Sequence, residues 1–185
     1  MKRILLILLV VVCSCVVYAQ STIENYIGTW KYEKGDTVFI VKLIEGETYN
    51  KKKQRKVLDF RYLFGGYSLS VRGKIIENYI DNIHEQWIIG DEIGKGSEQH
   101  IYIRGAYFPD RKSNGFTFYD QRMRHFDGNG IIAGSFEFIA PNKLHWTLNE
   151  KKGIWNATEG LEDWVEVKPI GFSVPTDVIM TKVDE

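Results

Sequence analysis

Cysteine is nearly absent from this chain of 185 residues, and its two cysteines, Cys13 and Cys15, lie close to the start. The residues after Cys15 therefore form no disulfide, and they offer no cysteine nucleophile, zinc–thiolate site or iron–sulfur cluster. A domain of this composition must be held together by its packed core. The remaining length suits one domain with a sizeable core.

Long apolar runs are also lacking, with the exception of residues 4–17. Lys2 and Arg3 precede this run, and a Val-Tyr-Ala junction ending at Ala19 follows it. The run is too short for a membrane span and has the layout of a secretory signal. We therefore predict export, to the periplasm or to the outside of the cell.

The domain organisation follows from this junction. We predict a signal peptide over residues 1–19, cleavage after Ala19, and a single domain over residues 20–185 with no membrane span. A lipid anchor on Cys15 is the alternative. We favour plain secretion because Cys13 fits a lipoprotein box poorly.

Charge of one sign is not in excess. The chain has 24 Lys and Arg against 24 Asp and Glu, and without Lys2 and Arg3 the net charge is −2. That balance does not favour a nucleic acid partner. The basic run at residues 51–56 contains no aromatic residue, so we predict a solvated hairpin loop there rather than a binding patch.

Long stretches of helical periodicity are missing, and apolar residues instead recur at every second position. Such alternation is typical of half-buried strands, and the intervening residues are polar, as a solvent-facing side requires. The clearest examples are Tyr67-Leu69-Val71, Ile101-Ile103, Phe116-Phe118, Phe136-Phe138, Leu144-Trp146-Leu148 and Val178-Met180.

Turn residues separate these segments at short intervals. Glycine and asparagine supply the positive φ angles of tight hairpins, and they recur at residues 34–36, 65–66, 94–96, 127–130 and 141–142. We predict an all-β fold, an antiparallel up-and-down barrel or a closely similar sandwich of about ten strands. Helix should be limited to short turns at residues 22–26 and 156–162.

The first predicted strand carries the motif Gly28-Thr29-Trp30. This motif resembles the first strand of lipocalin-type barrels, the calycin group, in which the glycine allows a close backbone approach and the tryptophan plugs the closed end. The resemblance implies a lipocalin-like barrel with Trp30 buried against final-strand residues such as Val178 or Met180. It also implies that Gly28 lies where a neighbouring backbone or ring leaves no room for a Cβ.

A second resemblance extends over almost the whole chain. The Ala-Gln end of the presequence, the opening Tyr26-Ile27-Gly28-Thr29-Trp30 and the closing segment from Phe172 to Val183 are similar to an uncharacterised family of small exported Bacteroidota proteins. That family brings no established activity. The resemblance therefore implies a compartment and a fold, but no reaction.

Catalytic signatures are missing as well. His84, His100, His125 and His145 are scattered, and no pair has the spacing of a metal site. No Gly-x-Ser-x-Gly elbow and no phosphate-binding glycine loop is present. Acids such as Asp120 are plentiful, but nothing in the sequence brings two of them together as sugar cleavage requires. We therefore expect no enzyme activity, metal or cofactor.

Aromatic residues are abundant, with five Trp, ten Tyr and ten Phe. One interpretation is an interior pocket for a small apolar or amphipathic ligand; the other is a core filled by the same side chains. The filled core would favour a protein that contacts another envelope or extracellular protein. The tentative ligand-binding residues are Trp30, Tyr67, Trp87, Phe118, Phe136 and Trp146.

Overall fold

Ten strands and one short helix make up most of residues 22–89, 99–122, 130–150 and 171–183, the part of the chain that the computed structural model describes. The elements are α1 (Ile23–Tyr26), β1 (Gly28–Lys34), β2 (Thr37–Asn50), β3 (Arg55–Val71), β4 (Lys74–Asn78), β5 (Gln86–Ile89), β6 (Ile103–Tyr107), β7 (Ser113–Phe118), β8 (Ile131–Ala140), β9 (Lys143–Leu148) and β10 (Asp177–Val183).

Several predictions made from the sequence fall outside these residues. They are the signal peptide with its cleavage site, the turn at 94–96, most of the turn at 127–130, and the helical turn at 156–162. Within the described residues, no helix has the length and apolarity needed to cross a membrane.

Eight of the strands close into an antiparallel barrel in the order β3-β6-β7-β8-β9-β10-β1-β2, and β2 pairs with β3 to complete the ring. The remaining two strands lie outside it: β4 pairs with β3, and β5 runs parallel to β2. The predicted all-β antiparallel barrel of about ten strands is confirmed. Chain order follows ring order except for β4 and β5, which interrupt the path between β3 and β6.

Alternating burial explains why these segments form the wall. In β9, Leu144, Trp146 and Leu148 are buried, whereas His145 and Thr147 between them are half-buried. The same period of two runs along β2 and β10. Each strand thus turns one apolar row towards a shared interior, as its sequence predicts.

Aromatic rings fill the centre of the barrel. The centroids of Phe116 and Phe136 are 4.2 Å apart in a stacked arrangement, and Trp146 lies 4.8 Å from Phe116. Phe39 approaches Trp146 edge-on at 5.3 Å. Twenty-one buried residues join in this interior cluster, so the core is continuous from one side of the ring to the other.

Helix α1 and Trp30 close one end of the barrel. Ile23 and Tyr26 of the helix are fully buried, and the Trp30 indole Nε1 donates a hydrogen bond to the Tyr26 carbonyl oxygen at 2.8 Å. Val178 and Met180 belong to the same buried cluster as Trp30. The predicted burial of Trp30 is confirmed, and so is the helical turn at residues 22–26.

Gly28 is required for a different reason from the one expected. Its φ is +124°, a conformation that side-chain-bearing residues rarely adopt. A Cβ there would lie 2.7 Å from Cε of Lys182, whose Nζ sits 5.4 Å from the centroid of the Trp30 ring. The close neighbour is therefore a lysine side chain, and the prediction of a backbone or ring was wrong.

The predicted turn at residues 65–66 was also wrong, because both glycines lie inside β3. At this point the neighbour of β3 changes from β6 to β4. A Cβ on Gly66 would overlap the carbonyl group of Tyr79, where the chain crosses over β3. The glycine serves a chain crossing rather than a turn.

The hairpin of β2 and β3 extends beyond the ring. Its tip, residues 51–54, is a turn of exposed side chains, and β3 begins at Arg55. The basic run at 51–56 is thus a solvated hairpin tip, as predicted. Lys56 forms an ion pair with Glu47 across the two strands at 2.6 Å.

Replacing Trp30 by alanine should destabilise the protein severely. A large buried side chain truncated to Ala typically costs about 3–5 kcal/mol in the free energy of unfolding, and here the indole hydrogen bond to Tyr26 is lost as well. Chemical denaturation of Trp30→Ala measures the loss. Ile179→Ala, which truncates a half-exposed residue of β10, is the control and should change stability by within about 0.5 kcal/mol. Equal midpoints for the two variants would contradict the role of Trp30 as a plug.

Candidate functional site

The six residues predicted to line a pocket do not lie together. Trp30, Tyr67, Phe118, Phe136 and Trp146 are all in the interior cluster. Trp87, the sixth, belongs to a second buried cluster, which contains Tyr62, Phe64, Ile101 and Tyr119. The structure therefore separates Trp87 from the other five.

The five interior residues are packed mainly against other aromatic rings. Tyr67 lies 5.0 Å from Phe118, Phe118 lies 5.6 Å from Trp146, and Trp146 lies 5.7 Å from Phe136, measured between ring centroids. Four of the rings therefore pack against one another. Trp30 donates a hydrogen bond to Tyr26 and contacts the Lys182 ammonium group. Their arrangement favours the filled core over an open interior pocket.

At the end of the barrel opposite α1, two carboxyl groups are buried together. Glu77 of β4 is 5% exposed and Asp120, two residues after β7, is 2% exposed. The hydroxyl of Ser173, before β10, lies 2.9 Å from Glu77 Oε2 and 2.9 Å from Asp120 Oδ1. Tyr67 donates its phenolic hydrogen to Glu77 Oε1 at 3.1 Å and accepts one from the Gln121 backbone N–H at 3.0 Å. This carboxyl cluster links four separate parts of the chain.

The hydrogen bonds of the cluster differ between its two carboxyl groups. The hydroxyl of Ser173 has one hydrogen to share between them. Asp120 also accepts the backbone N–H groups of Ser173 and Arg122, at 2.7 and 3.1 Å. The Glu77 carboxyl is held by the side chains of Tyr67 and Ser173.

The surroundings of Glu77 shift the pKa of its carboxyl group. Burial raises the pKa of Glu77 above its ordinary value, and the charge of Asp120 raises it further, while hydrogen bonds with Ser173 and Tyr67 lower it and only partly offset the rise. Burial likewise raises the pKa of the Tyr67 phenol. With both carboxyl groups enclosed and hydrogen-bonded to the fold, the arrangement suits closing the barrel end rather than attacking a substrate.

The second buried cluster lies on the outer face of the barrel, beside a groove of about 260 Å³. Arg104 of β6 lines this groove, and its guanidinium carbon lies 4.8 Å from the Trp87 ring centroid and 5.6 Å from that of Tyr62. Arg111 also lines the groove, and its guanidinium carbon lies 4.1 Å from the ring centroid of Phe108. The lining contains both arginines and no carboxylate.

The apolar part of the groove continues onto the open surface. Phe108 contacts Phe60 edge-on at 5.4 Å, and Phe60 is 47% exposed. Ile132, also in the lining, is 74% exposed. Apolar rings and two cations thus share one concave surface, the combination that an amphipathic ligand requires. We call this surface the arginine groove.

Sequence reasoning named Trp87 but missed the arginines beside it and Glu77. Arg104 sits in an alternating strand at a position that normally faces solvent, so it gives no signal by itself. Glu77 is harder still, because its neighbours Ile75 and Ile76 are exposed while the acid is buried. Asp120 was among the acids considered, and only the fold brings Glu77 to it.

Two of the four histidines meet although they are far apart in sequence. The rings of His84 and His100 are 4.8 Å apart. In the part of the chain described here, however, no three His, Cys, Asp or Glu side chains are grouped so as to hold a metal ion.

The fold places the protein in one structural class, the closed eight-stranded antiparallel barrels with a filled interior. Among known families, the model of a family of unknown function (DUF6705) matches residues 1–183. The chain belongs to that family. No curated protein and no solved structure matches it.

The raised pKa of Glu77 makes stability depend on pH. Because the folded pKa lies above the unfolded value of about 4.5, the contribution is full below the unfolded pKa and is lost as the pH rises through the folded pKa. Glu77→Gln keeps a neutral donor and acceptor in the cluster. The free energy of unfolding of the wild type should therefore fall, relative to that of Glu77→Gln, as the pH is raised from 4.5.

The measurement is a series of denaturation curves for both proteins across this pH range. Glu33→Gln is the matched control, because Glu33 is exposed and paired with Lys31 on the surface. A constant difference between wild type and Glu77→Gln at every pH would show that folding does not raise the pKa of Glu77.

Proposed function

We propose that this protein is an exported binding module that takes up a small amphipathic ligand in the arginine groove. The observation that carries the proposal is the groove itself, where aromatic side chains and two guanidinium groups line one concavity. Ligand sites are typically apolar concavities with a few placed polar groups. The arginine groove has that composition.

The packing of the interior supports a site on the outer wall. Phe116, Phe136 and Trp146 occupy the centre of the ring in mutual contact, and Trp30 with α1 covers one end. A ligand of any size would have to displace these rings to enter. The groove needs no such rearrangement.

The proposed role is binding, and the proposed compartment lies outside the cytoplasm. The groove contains no paired acid and base or nucleophile, so we propose binding rather than catalysis. The presequence with its Ala19 junction supports export from the cytoplasm. The Gly28-Thr29-Trp30 motif and the closed barrel support a lipocalin-like member of an exported Bacteroidota family.

A second candidate function, contact with another envelope or extracellular protein, rests on a different surface. Ile88 and Ile89 of β5 are both exposed, and they lie on the side of the extended β2–β3 hairpin. Exposed apolar residues grouped in this way are typical of interaction sites. The edge of β5 is occupied at Ile88, whose N–H donates to Gln99 Oε1 at 2.7 Å, so a partner would contact side chains there rather than add a strand.

Export predicts a shorter chain than the one encoded. Protein recovered from outside the cytoplasm should have an intact mass that begins at Gln20, because the peptidase cleaves after Ala19. Replacing Ala19 by a bulky residue, Ala19→Leu, should block processing and leave the longer chain attached to the membrane fraction. A mass that carries diacylglycerol on Cys15 would instead establish a lipid anchor.

Binding in the groove predicts saturable uptake of a neutral apolar probe. N-phenyl-1-naphthylamine fluoresces when it leaves water, and it should bind the wild type with a single class of sites. Phe108→Ala removes an apolar wall of the groove and should weaken the probe's affinity by about tenfold, a loss of about 1.4 kcal/mol.

Two controls locate the site. Ile179→Ala removes an exposed apolar side chain from β10, which is outside the groove, and should leave the affinity unchanged. Affinity that is unaffected by Phe108→Ala, or an absence of saturable binding, would rule out the groove as a ligand site. Weakened probe binding in Ile88→Ala alone would point to the second surface.

A further inference from the structure

We propose that the ligand of the arginine groove carries a carboxylate, which Arg104 and Arg111 hold while the apolar body lies against Phe108 and Ile132. This inference rests on the proposed function and deepens it, because it names the charge and the chemical group of the ligand. The basis is the set of contacts that the two arginines make with the described part of the fold.

Arg104 carries a charge that the described residues do not balance. Its guanidinium lies over two aromatic rings, yet within the described ranges it has no ion pair, and its Nε is buried there without a hydrogen-bond partner. Ring faces attract a cation but accept none of its in-plane N–H hydrogens. Arg104 is half-buried, but its enclosed Nε lacks a partner among the described residues, and an enclosed polar group is costly unless it is hydrogen-bonded. An acceptor from outside the chain would complete this site.

A nearby arginine shows how the same fold treats a cation that it neutralises. Arg61 of β3 forms hydrogen-bonded ion pairs with Glu45 at 2.7 Å and with Glu24 at 2.8 Å. These bonds raise the pKa of Arg61 and lower that of Glu24 to about 2. Arg104, on the neighbouring strand β6, is given aromatic rings instead of acids. Among the residues that the structure describes, Arg104 is thus a cation without an acidic partner.

Arg111 supplies a second cation at the same groove. It follows β6 in the connection to β7, it is exposed, and its stacking on Phe108 restricts where its guanidinium lies. A planar guanidinium that rests on a ring keeps its fork of N–H donors for a carboxylate, which it can bind with two parallel hydrogen bonds. Two such groups beside an apolar wall favour a carboxylate on an apolar body over a neutral ligand.

The experiment compares two ligands of the same shape that differ in charge. N-phenyl-1-naphthylamine is bound to the wild type and displaced with 1-naphthoate or with 1-naphthamide, its neutral counterpart. The naphthoate should displace the probe at a concentration about tenfold lower than the amide. The advantage should shrink as salt is added, because part of it is electrostatic.

The variants assign the preference to the arginines. Arg104→Gln and Arg111→Gln should each reduce the preference for naphthoate while leaving displacement by naphthamide nearly unchanged. Arg72→Gln is the matched control, since Arg72 is highly exposed and pairs with Asp36 at the far end of β3; it should keep the full preference. If Arg104→Gln does not fold, Ile132→Glu provides the test, because it introduces a carboxylate at an exposed position of the groove and should abolish the preference.

The outcomes separate this inference from the proposed function. If the neutral probe binds in the groove but naphthoate has no advantage over naphthamide, the inference of a carboxylate ligand is wrong. The proposed binding function of the groove is then unaffected. If the advantage persists in both Arg104→Gln and Arg111→Gln, the anion is held elsewhere and the inference is again overturned. If the neutral probe itself does not bind, the proposed function fails first.

Discussion

Mutual contact among the rings of Phe116, Phe136 and Trp146 is the interaction on which the rest of the barrel depends. The three residues come from the successive strands β7, β8 and β9, so their contacts hold these three neighbouring strands in position. Aromatic pairs contribute about 0.5–1.5 kcal/mol each beyond the area that they bury. In a domain with no disulfide, packing of this kind replaces covalent restraint.

A filled interior also decides where polar chemistry is possible. The two ends of the barrel are closed by different means, one by the Trp30 plug under α1 and the other by the carboxyl cluster around Glu77. Both closures use their polar atoms to hold the fold together. What remains accessible is the outer wall, and there the arginine groove combines apolar surface with charge that the described fold does not neutralise.

The sequence was sufficient to predict the strands of the barrel and the burial of Trp30, but not the contacts outside the ring. Alternation predicted the strands because one face of each is buried, and Trp30 was identified because its motif is local. Trp87 was assigned to the interior because periodicity cannot distinguish the inside of a barrel from an outer face that another segment covers. A turn was predicted at Gly66 because glycine is needed both in tight turns and where another part of the backbone passes close to a strand. The roles of Glu77 and Arg104 could not be predicted because the residues that they contact are distant in sequence.

The path from β3 to β6 joins two parts of the molecule that the ring itself keeps apart. None of the eight pairings that close the ring involves β4 or β5. Yet this path contributes Glu77 to one end of the barrel and the Trp87 ring that contacts Arg104 on the outer wall. A shift of this path would therefore change the closure of that end and the position of the Arg104 side chain together.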